Sequence, residues 1–388
     1  MPSYDAFLLL SFGGPEGPDD VLPFLENVTR GRGVPAQRLA EVAEHYYAVG
    51  GVSPINAQCR EMLASIAAAF QKEGIDLPLY WGNRNSGPFL TDTVRRLKAD
   101  GARRVIAFAT SAYSSYSACR QYLDDIERAV AVVQAEGVQA EGGGDGAPRI
   151  DKIRPYYARA GFIEPFAASV EAALGELPDG TRDGARLVFT AHSVPLGMAA
   201  SSGSVRAGTA VPGTVGGRYA AELRQASRMI TERVRGGTHP FDLVFQSRSG
   251  PPSVPWLEPD VNEHLAALAK GTLANGEPLP EGAPSGVVVV PVGFVSDHME
   301  VVHDLDVAAA QTAASLGLPF ARAKAPGLTP EFAAMVAELV AERIASADTA
   351  QECTPGEDGA ACCPADCCRY APSRPGRPAG PPPSGGQP

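Results

Sequence analysis

The stretch GVVVVPVGFVSDHMEVVHDLD, residues 286–306, decides how the chain is read. Val287, Val288, Val289 and Val290 are β-branched and show no polar alternation, the signature of a parallel strand covered on both faces. Pro291 and Gly293 end that strand, and Asp297, His298, Glu300, His303, Asp304 and Asp306 follow within ten positions. With Ser296 or Asp297 as a helix cap, Glu300, His303 and Asp304 fall at i, i+3 and i+4 and share one face. A buried strand therefore runs directly into side chains that ligate metals and move protons.

Working outward, the same alternation of strand and helix repeats upstream. Strands are expected at residues 6–12, 77–81, 105–109, 152–155, 185–190 and 243–246, with the run above adding 287–292. Between them the 3.6-residue period predicts helices at 19–27, 36–47, 56–73, 89–100, 118–135, 161–174, 219–235 and 261–270, and a last one at 330–344. Alternating units of this kind build parallel sheets covered by helices on both faces. About eight strands over roughly 330 residues suit two doubly wound α/β domains better than one barrel. The divisions expected are 1–150 and 151–325 for the two domains, a closing helix over 326–348, a cysteine-rich tail over 349–370, and a Pro/Gly-rich disordered end over 371–388. Residues 199–217, rich in Gly, Ser and Ala, read as a mobile surface loop.

Composition narrows the function classes. A net charge of -11 on 388 residues argues against a nucleic-acid-binding surface. No run approaches the roughly 18 to 20 apolar residues a bilayer span needs, and AFLLLSF at residues 6–12 lacks the basic region of a signal peptide. The expected compartment is the cytoplasm. Cys59 and Cys119 stand apart in the body of the chain, whereas Cys353, Cys362, Cys363, Cys367 and Cys368 crowd the tail. An odd, clustered set in a cytoplasmic chain favours metal ligation over disulfides. Thiolates suit iron–sulfur or zinc, and unligated thiols stay an alternative. Cys59 reads as a buried core thiol.

In doubly wound folds ligands lie beyond the carboxyl ends of the strands. That rule selects residues 11–14, 109–113, 190–195 and 293–300. His192 follows its strand directly and should point into the cleft, although a lone histidine there is equally the mark of a satisfied loop residue. A hydrolase built on His192 and Ser193 is disfavoured, because neighbours on an extended chain face opposite ways and no G-x-S-x-G elbow is present. Glu300 with His298, His303 and Asp304 forms either a solvated helix face or one wall of a metal or proton site. Phe108, Tyr113, Tyr116 and Tyr122 read chiefly as core with a minority role in stacking, and Arg30 and Arg32 as carboxylate grips or plain surface charges.

Taken together, AHSVP at 191–195, the run PVGFVSDHMEVVHDLD at 291–306, GGVSPIN at 50–56 and QSRSGPPSVPWLEPD at 246–260 resemble ferrochelatases, in unbroken order from about residue 11 to 325. Phe12 and the cysteine tail resemble the actinobacterial branch, whose members are similar to coproporphyrin III ferrochelatases. The resemblance implies two Rossmann-like domains with a porphyrin cleft between them, and insertion of Fe(II) into coproporphyrin III with loss of two protons. It places His192 and Glu300 on opposite faces of the macrocycle as metal ligands and proton acceptors. It assigns Ser53, Tyr122 and Arg30 to the propionates, leaves Phe12 to pack where relatives carry a tyrosine, and sets Asp304 and Asp306, with His303 beside them, on a path for metal or protons. It implies a 2Fe-2S cluster on Cys119, Cys353, Cys362 and Cys367, with Cys363 and Cys368 as alternates. The partners it implies are coproporphyrin III, Fe(II) and, transiently, neighbouring heme-pathway enzymes, with the chain a monomer. A protoporphyrin IX enzyme, a chelatase loading cobalt or nickel, and a tetrapyrrole carrier remain open beside it; Glu300 among acids and histidines favours an enzyme over a carrier.

Overall fold

The fully apolar runs become central strands, and the structure, a computed structural model, describes them within residues 4–31, 33–139, 146–203, 216–235, 239–250, 253–348 and 367–370. One parallel sheet holds β1 (Ala6–Ser11), β2 (Leu79–Asn83), β3 (Arg104–Ala109) and β4 (Arg149–Lys152) in the order β2-β1-β3-β4. A second holds β5 (Ala185–His192), β6 (Phe241–Gln246), β7 (Gly286–Val290) and β8 (Phe320–Arg322) in the order β6-β5-β7-β8. The same winding occurs twice, so the molecule is two Rossmann-like domains. In each, strand order reverses beside the first strand, between β1 and β3 and between β5 and β7, where a crevice must open. The four strand ends selected from the sequence are the ones flanking these two crevices. β4 pairs with β3, so the first sheet is completed across the boundary expected at residue 150.

The first domain carries α1 (Pro18–Thr29), α2 (Ala36–Tyr47), α3 (Ile55–Glu73), α4 (Leu90–Ala99) and α5 (Gln121–Gln139). The second carries α6 (Ala160–Glu176), α7 (Leu196–Ala200), α8 (Gly217–Thr231), α9 (Val261–Leu268), α10 (Met299–Val301) and α11 (Ala310–Ser315), and α12 (Pro330–Asp348) closes the molecule. Each matches an amphipathic run, apart from the short α7, α10 and α11. β8 was not anticipated: three residues at a sheet edge carry no readable period.

One continuous core joins the domains. Phe7 and Leu9 of the first sheet and Leu187 and Phe189 of the second belong to it, together with Phe332, Val336 and Val340 of α12. Helix α12 packs against α3 of one domain and α6 of the other. Tyr113 donates to the Val292 carbonyl at 2.8 Å, and the Ser114 N–H and hydroxyl both donate to buried Glu222. These contacts pin the two units along one side. Of the aromatic residues in and after β3, Phe108, Tyr113 and Tyr122 are buried as core, whereas Tyr116 is half-buried. Cys59 is fully buried too, and burial pushes its thiol up to about 11.

Candidate active site

The crevice between β5 and β7 is built by a close backbone crossing. β5 and β7 pair in register up to Phe189 and Val290, and the Gly293 N–H then donates to the Thr190 carbonyl at 3.0 Å. A Cβ on Gly293 would lie 2.6 Å from Ala191 Cβ, so only glycine lets the segment after β7 lie on the end of β5. His192 is the last residue of β5, and Glu300 sits on α10 just beyond the crossing. Their reactive atoms face each other, with His192 Nε2 at 3.6 Å from Glu300 Oε2. Both side chains are partly exposed, at 33% and 44%.

Local bonds fix the chemistry of this pair. His192 Nδ1 contacts the Ser193 carbonyl oxygen, which only accepts, so Nδ1 carries a hydrogen and, in the neutral ring, Nε2 presents the lone pair. Tyr219 donates to the His192 carbonyl at 3.1 Å and holds the backbone. Ser193 is buried and donates to the Leu257 carbonyl, so it is turned away from His192 as the strand geometry requires. A lone pair and a carboxylate oxygen facing at 3.6 Å repel unless a cation lies between them. The geometry therefore suits a shared proton or a divalent metal.

The segment carrying Glu300 differs from the expected helix. His298, not Ser296 or Asp297, is the cap: its Nδ1 accepts from the Glu300 N–H at 3.2 Å. Burial holds the His298 imidazole below the ordinary histidine range, which keeps it neutral as that acceptor requires. After one short α-helical stretch, residues Val302–Ala309 take π-helical pairing, a wide turn common at functional sites. Asp304 accepts from the Ser247 hydroxyl, and its other oxygen lies 3.1 Å from His303 Nδ1. Gln246 Nε2 reaches both the Glu300 carbonyl, at 3.3 Å, and Asp304, at 3.4 Å. Ser247 adopts φ 59, a conformation rarely taken by a residue with a side chain, to make its contact. Asp306 is drawn instead to Arg322.

Helices α1 and α2 roof this region. Val21, Phe24, Leu25 and Tyr46 cluster with Met299, next to Glu300. Burial, with Glu300 and Asp304 behind it, pushes the Tyr46 phenol up. His45 stacks on His303 across the domains, ring centroids 4.3 Å apart and planes at 9°. His45, Tyr46, Gln246 and Ser247 were not singled out from the sequence. Gln246 and Ser247 open the QSRSGPPSVPWLEPD motif and carried that signal; an amphipathic helix gave none for His45 and Tyr46.

The other expected residues spread over the first domain's side of the cleft. Phe12 is 37% exposed and packs edge-on to Phe24, with the Arg84 guanidinium 5.8 Å away. Tyr122 lies beneath that guanidinium, 4.1 Å from it. Ser53 is buried before α3, and Arg30 is exposed after α1, bonded to Asn27. Cys119 is buried just before α5, while Cys353, Cys362 and Cys363, Arg32 and most of residues 199–217 lie outside the described residues. The Cys368 N–H donates to the Gly203 carbonyl at 3.0 Å, and the Gly203 N–H donates to Cys368 Sγ at 3.2 Å. Cys367 Sγ lies 3.6 Å from that sulfur. Among the described residues, no group of three or more His, Cys, Asp or Glu side chains is gathered to hold a metal alone.

Two Rossmann-like domains and, beyond the strand ends of the second, an opposed imidazole and carboxylate give an arrangement suited to a metal chelatase. A ferrochelatase family model matches residues 4–344, and the chain belongs to that family. It is 48% identical over 383 residues to a coproporphyrin III ferrochelatase of Streptomyces griseus, covering 97% of this chain and 95% of that protein. A coproporphyrin III ferrochelatase of Streptomyces coelicolor is 49% identical over 384 residues, with the same coverage. A ferrochelatase of Rhodopirellula baltica is 44% identical over 394 residues, covering all of this chain and 98% of its own length.

Proposed function

We propose that this chain inserts Fe(II) into coproporphyrin III, with His192 and Glu300 as the groups that meet the metal and take the protons. The observation that carries this is the opposed lone pair of His192 Nε2 and the Glu300 carboxylate at 3.6 Å. Metal–ligand bonds of about 2.1 Å each would put the two atoms about 4.2 Å apart in line, and 3.6 Å when bent.

Two protein ligands suffice because the porphyrin brings four nitrogens. As Fe(II) enters, two pyrrole N–H bonds break, the electron pairs stay on nitrogen, and the protons pass to His192 Nε2 and to Glu300 or water. A neutral imidazole is a competent acceptor near neutral pH. Asp304, held by Ser247, Gln246 and His303, can hand protons onward. Ser53, Tyr122 and Arg30 serve the propionates, with Phe12 packing on the ring. The chain works in the cytoplasm as a monomer, and no helix among the described residues is long and apolar enough to cross a membrane.

The resemblance also implies a 2Fe-2S cluster on Cys119, Cys353, Cys362 and Cys367, with Cys363 and Cys368 as alternates, and this is part of the same reading. Tyr370 lies 6.3 Å from Tyr116, three residues before Cys119, so the tail's end is beside that ligand. Cys368 Sγ already accepts a backbone N–H, a contact that tunes cluster sulfurs. When bound, such a cluster would tie the tail to the first domain.

Anaerobic assay with Fe(II) and either coproporphyrin III or protoporphyrin IX tests the substrate; faster turnover of protoporphyrin would reverse the assignment. Cys119→Ser should abolish the visible absorption of a 2Fe-2S cluster in iron-replete, anaerobically prepared protein, and a wild-type protein lacking those bands rules the cluster out.

A further inference from the structure

Arg322, on the edge strand β8, reaches both ends of the segment that carries Glu300. Its Nη1 and Nη2 donate to the two oxygens of Asp297 at 3.1 Å each. Its Nε and Nη2 donate to the two oxygens of Asp306, the second at 3.1 Å. Arg322 and Asp297 are largely buried, with side chains 14% and 18% exposed. The Asp297 N–H in turn donates to Gln58 Oε1 of α3, at 2.8 Å, so the knot extends to the other domain. One guanidinium thus grips a carboxylate three residues before Glu300 and another six residues after it.

We propose that Arg322 is a positioning residue for metal insertion, fixing the Glu300 segment to β8 at both ends, and that Asp306 is its anchor rather than a carrier of protons or metal. This rests on the reading of Glu300 as a metal-meeting group. The need for such a clamp is local. Between Asp297 and Asp306 the chain has one three-residue helical stretch and then π-helical pairing, which supplies little rigidity of its own. Two-point guanidinium–carboxylate bonds fix direction as well as distance, which a lysine cannot do. Asp304 and Asp306 also point to different partners, Asp304 to Ser247 at the end of β6 and Asp306 to β8. A single acidic line through Glu300, Asp304 and Asp306 is therefore not what the side chains form.

The test compares Arg322→Met, Asp306→Ala and the double variant in the full chain, measuring anaerobic iron insertion and, separately, porphyrin affinity by fluorescence quenching. Each single change should lower kcat by about tenfold or more while porphyrin affinity and KM stay within about twofold, since misplacing one reacting group by a fraction of an ångström has that effect. The double variant should be no slower than Arg322→Met, because both remove one device. Arg322→Lys should recover little. Multiplying losses in the double variant, or wild-type kcat in Arg322→Met, would overturn the clamp. Should Arg322→Met not fold, Asp297→Asn and Asp306→Asn keep shape while losing an ion pair, and wild-type kcat in both overturns it equally. Glu300→Gln run alongside separates the two readings. Wild-type turnover there overturns the site itself, whereas a dead Glu300→Gln beside an unimpaired Arg322→Met overturns only the clamp.

Discussion

His192 is useful because of which nitrogen is free. Its Nδ1 is committed to the Ser193 carbonyl, so Nε2 is the atom left for the proposed base, and Nε2 is the atom aimed at Glu300. Removing the ring removes an acceptor and a ligand together. His192→Ala should lower kcat by roughly 10²- to 10⁴-fold, the span of general acid–base effects, while coproporphyrin still binds; fluorescence titration beside an anaerobic rate assay checks both halves. The position of this candidate was legible, since a histidine directly after a buried strand stands out. Its tautomer was not, because that depends on where the next carbonyl turns. Tyr46 and His45 were invisible for a related reason: each lies on an ordinary amphipathic helix, and only the docking of α2 on Met299 brings them to Glu300 and His303.

Among the elements, long ones were read correctly in type and nearly in bounds, because a four-valine run or a five-turn amphipathic period has few alternative structures. Short ones were not. β8 has three residues and α10 has three, so neither can show a period, and the cap on His298 depends on a ring turning back to a backbone N–H. The packing of α12 is a further property of elements together. Gly161 in α6 lies so close that a Cβ there would sit 2.5 Å from the Glu331 carbonyl and 2.6 Å from Met335 Cβ. Gly161→Ala should therefore lower stability, by about 1 to 3 kcal/mol as overpacking does, despite alanine's better helix propensity. A thermal melt that rises instead would show that α12 yields freely. Phe332→Ala, in contrast, should cost about 3 to 5 kcal/mol, because that ring is fully buried against Phe108 and Tyr156.

At the scale of the molecule, stability and function use opposite ends of the second sheet. At the other end of that sheet, Asp242 is half-buried and accepts hydrogen bonds from His264 and Arg186. Burial alone would raise its carboxyl; those partners outweigh it and hold it at about 2, below the usual 3.8. The folded state thus prefers the ionised form. That contribution, roughly 2 kcal/mol, is present above about pH 4 and is lost as the pH falls from about 4 towards 2. Denaturant titrations of wild type and Asp242→Asn between pH 5 and 3 should show the variant less stable at pH 5 and the gap closing with acid. A gap constant across that range would mean the ion pair is not what Asp242 supplies. The amino-acid sequence by itself determined the class of fold, the strand ends that flank the two switch points, and the pair His192 and Glu300 as candidates, since each is set by local pattern: apolar period, a breaking proline or glycine, and reactive side chains placed straight after a strand. Tertiary structure alone decided that β5 and β7 are neighbours, that Gly293 lets their ends cross, and that His192 and Glu300, 108 residues apart, face each other at 3.6 Å. It also sent Asp304 and Asp306 to different partners. Strand order and side-chain aim come from the packing of the whole core, and no window of sequence contains that information.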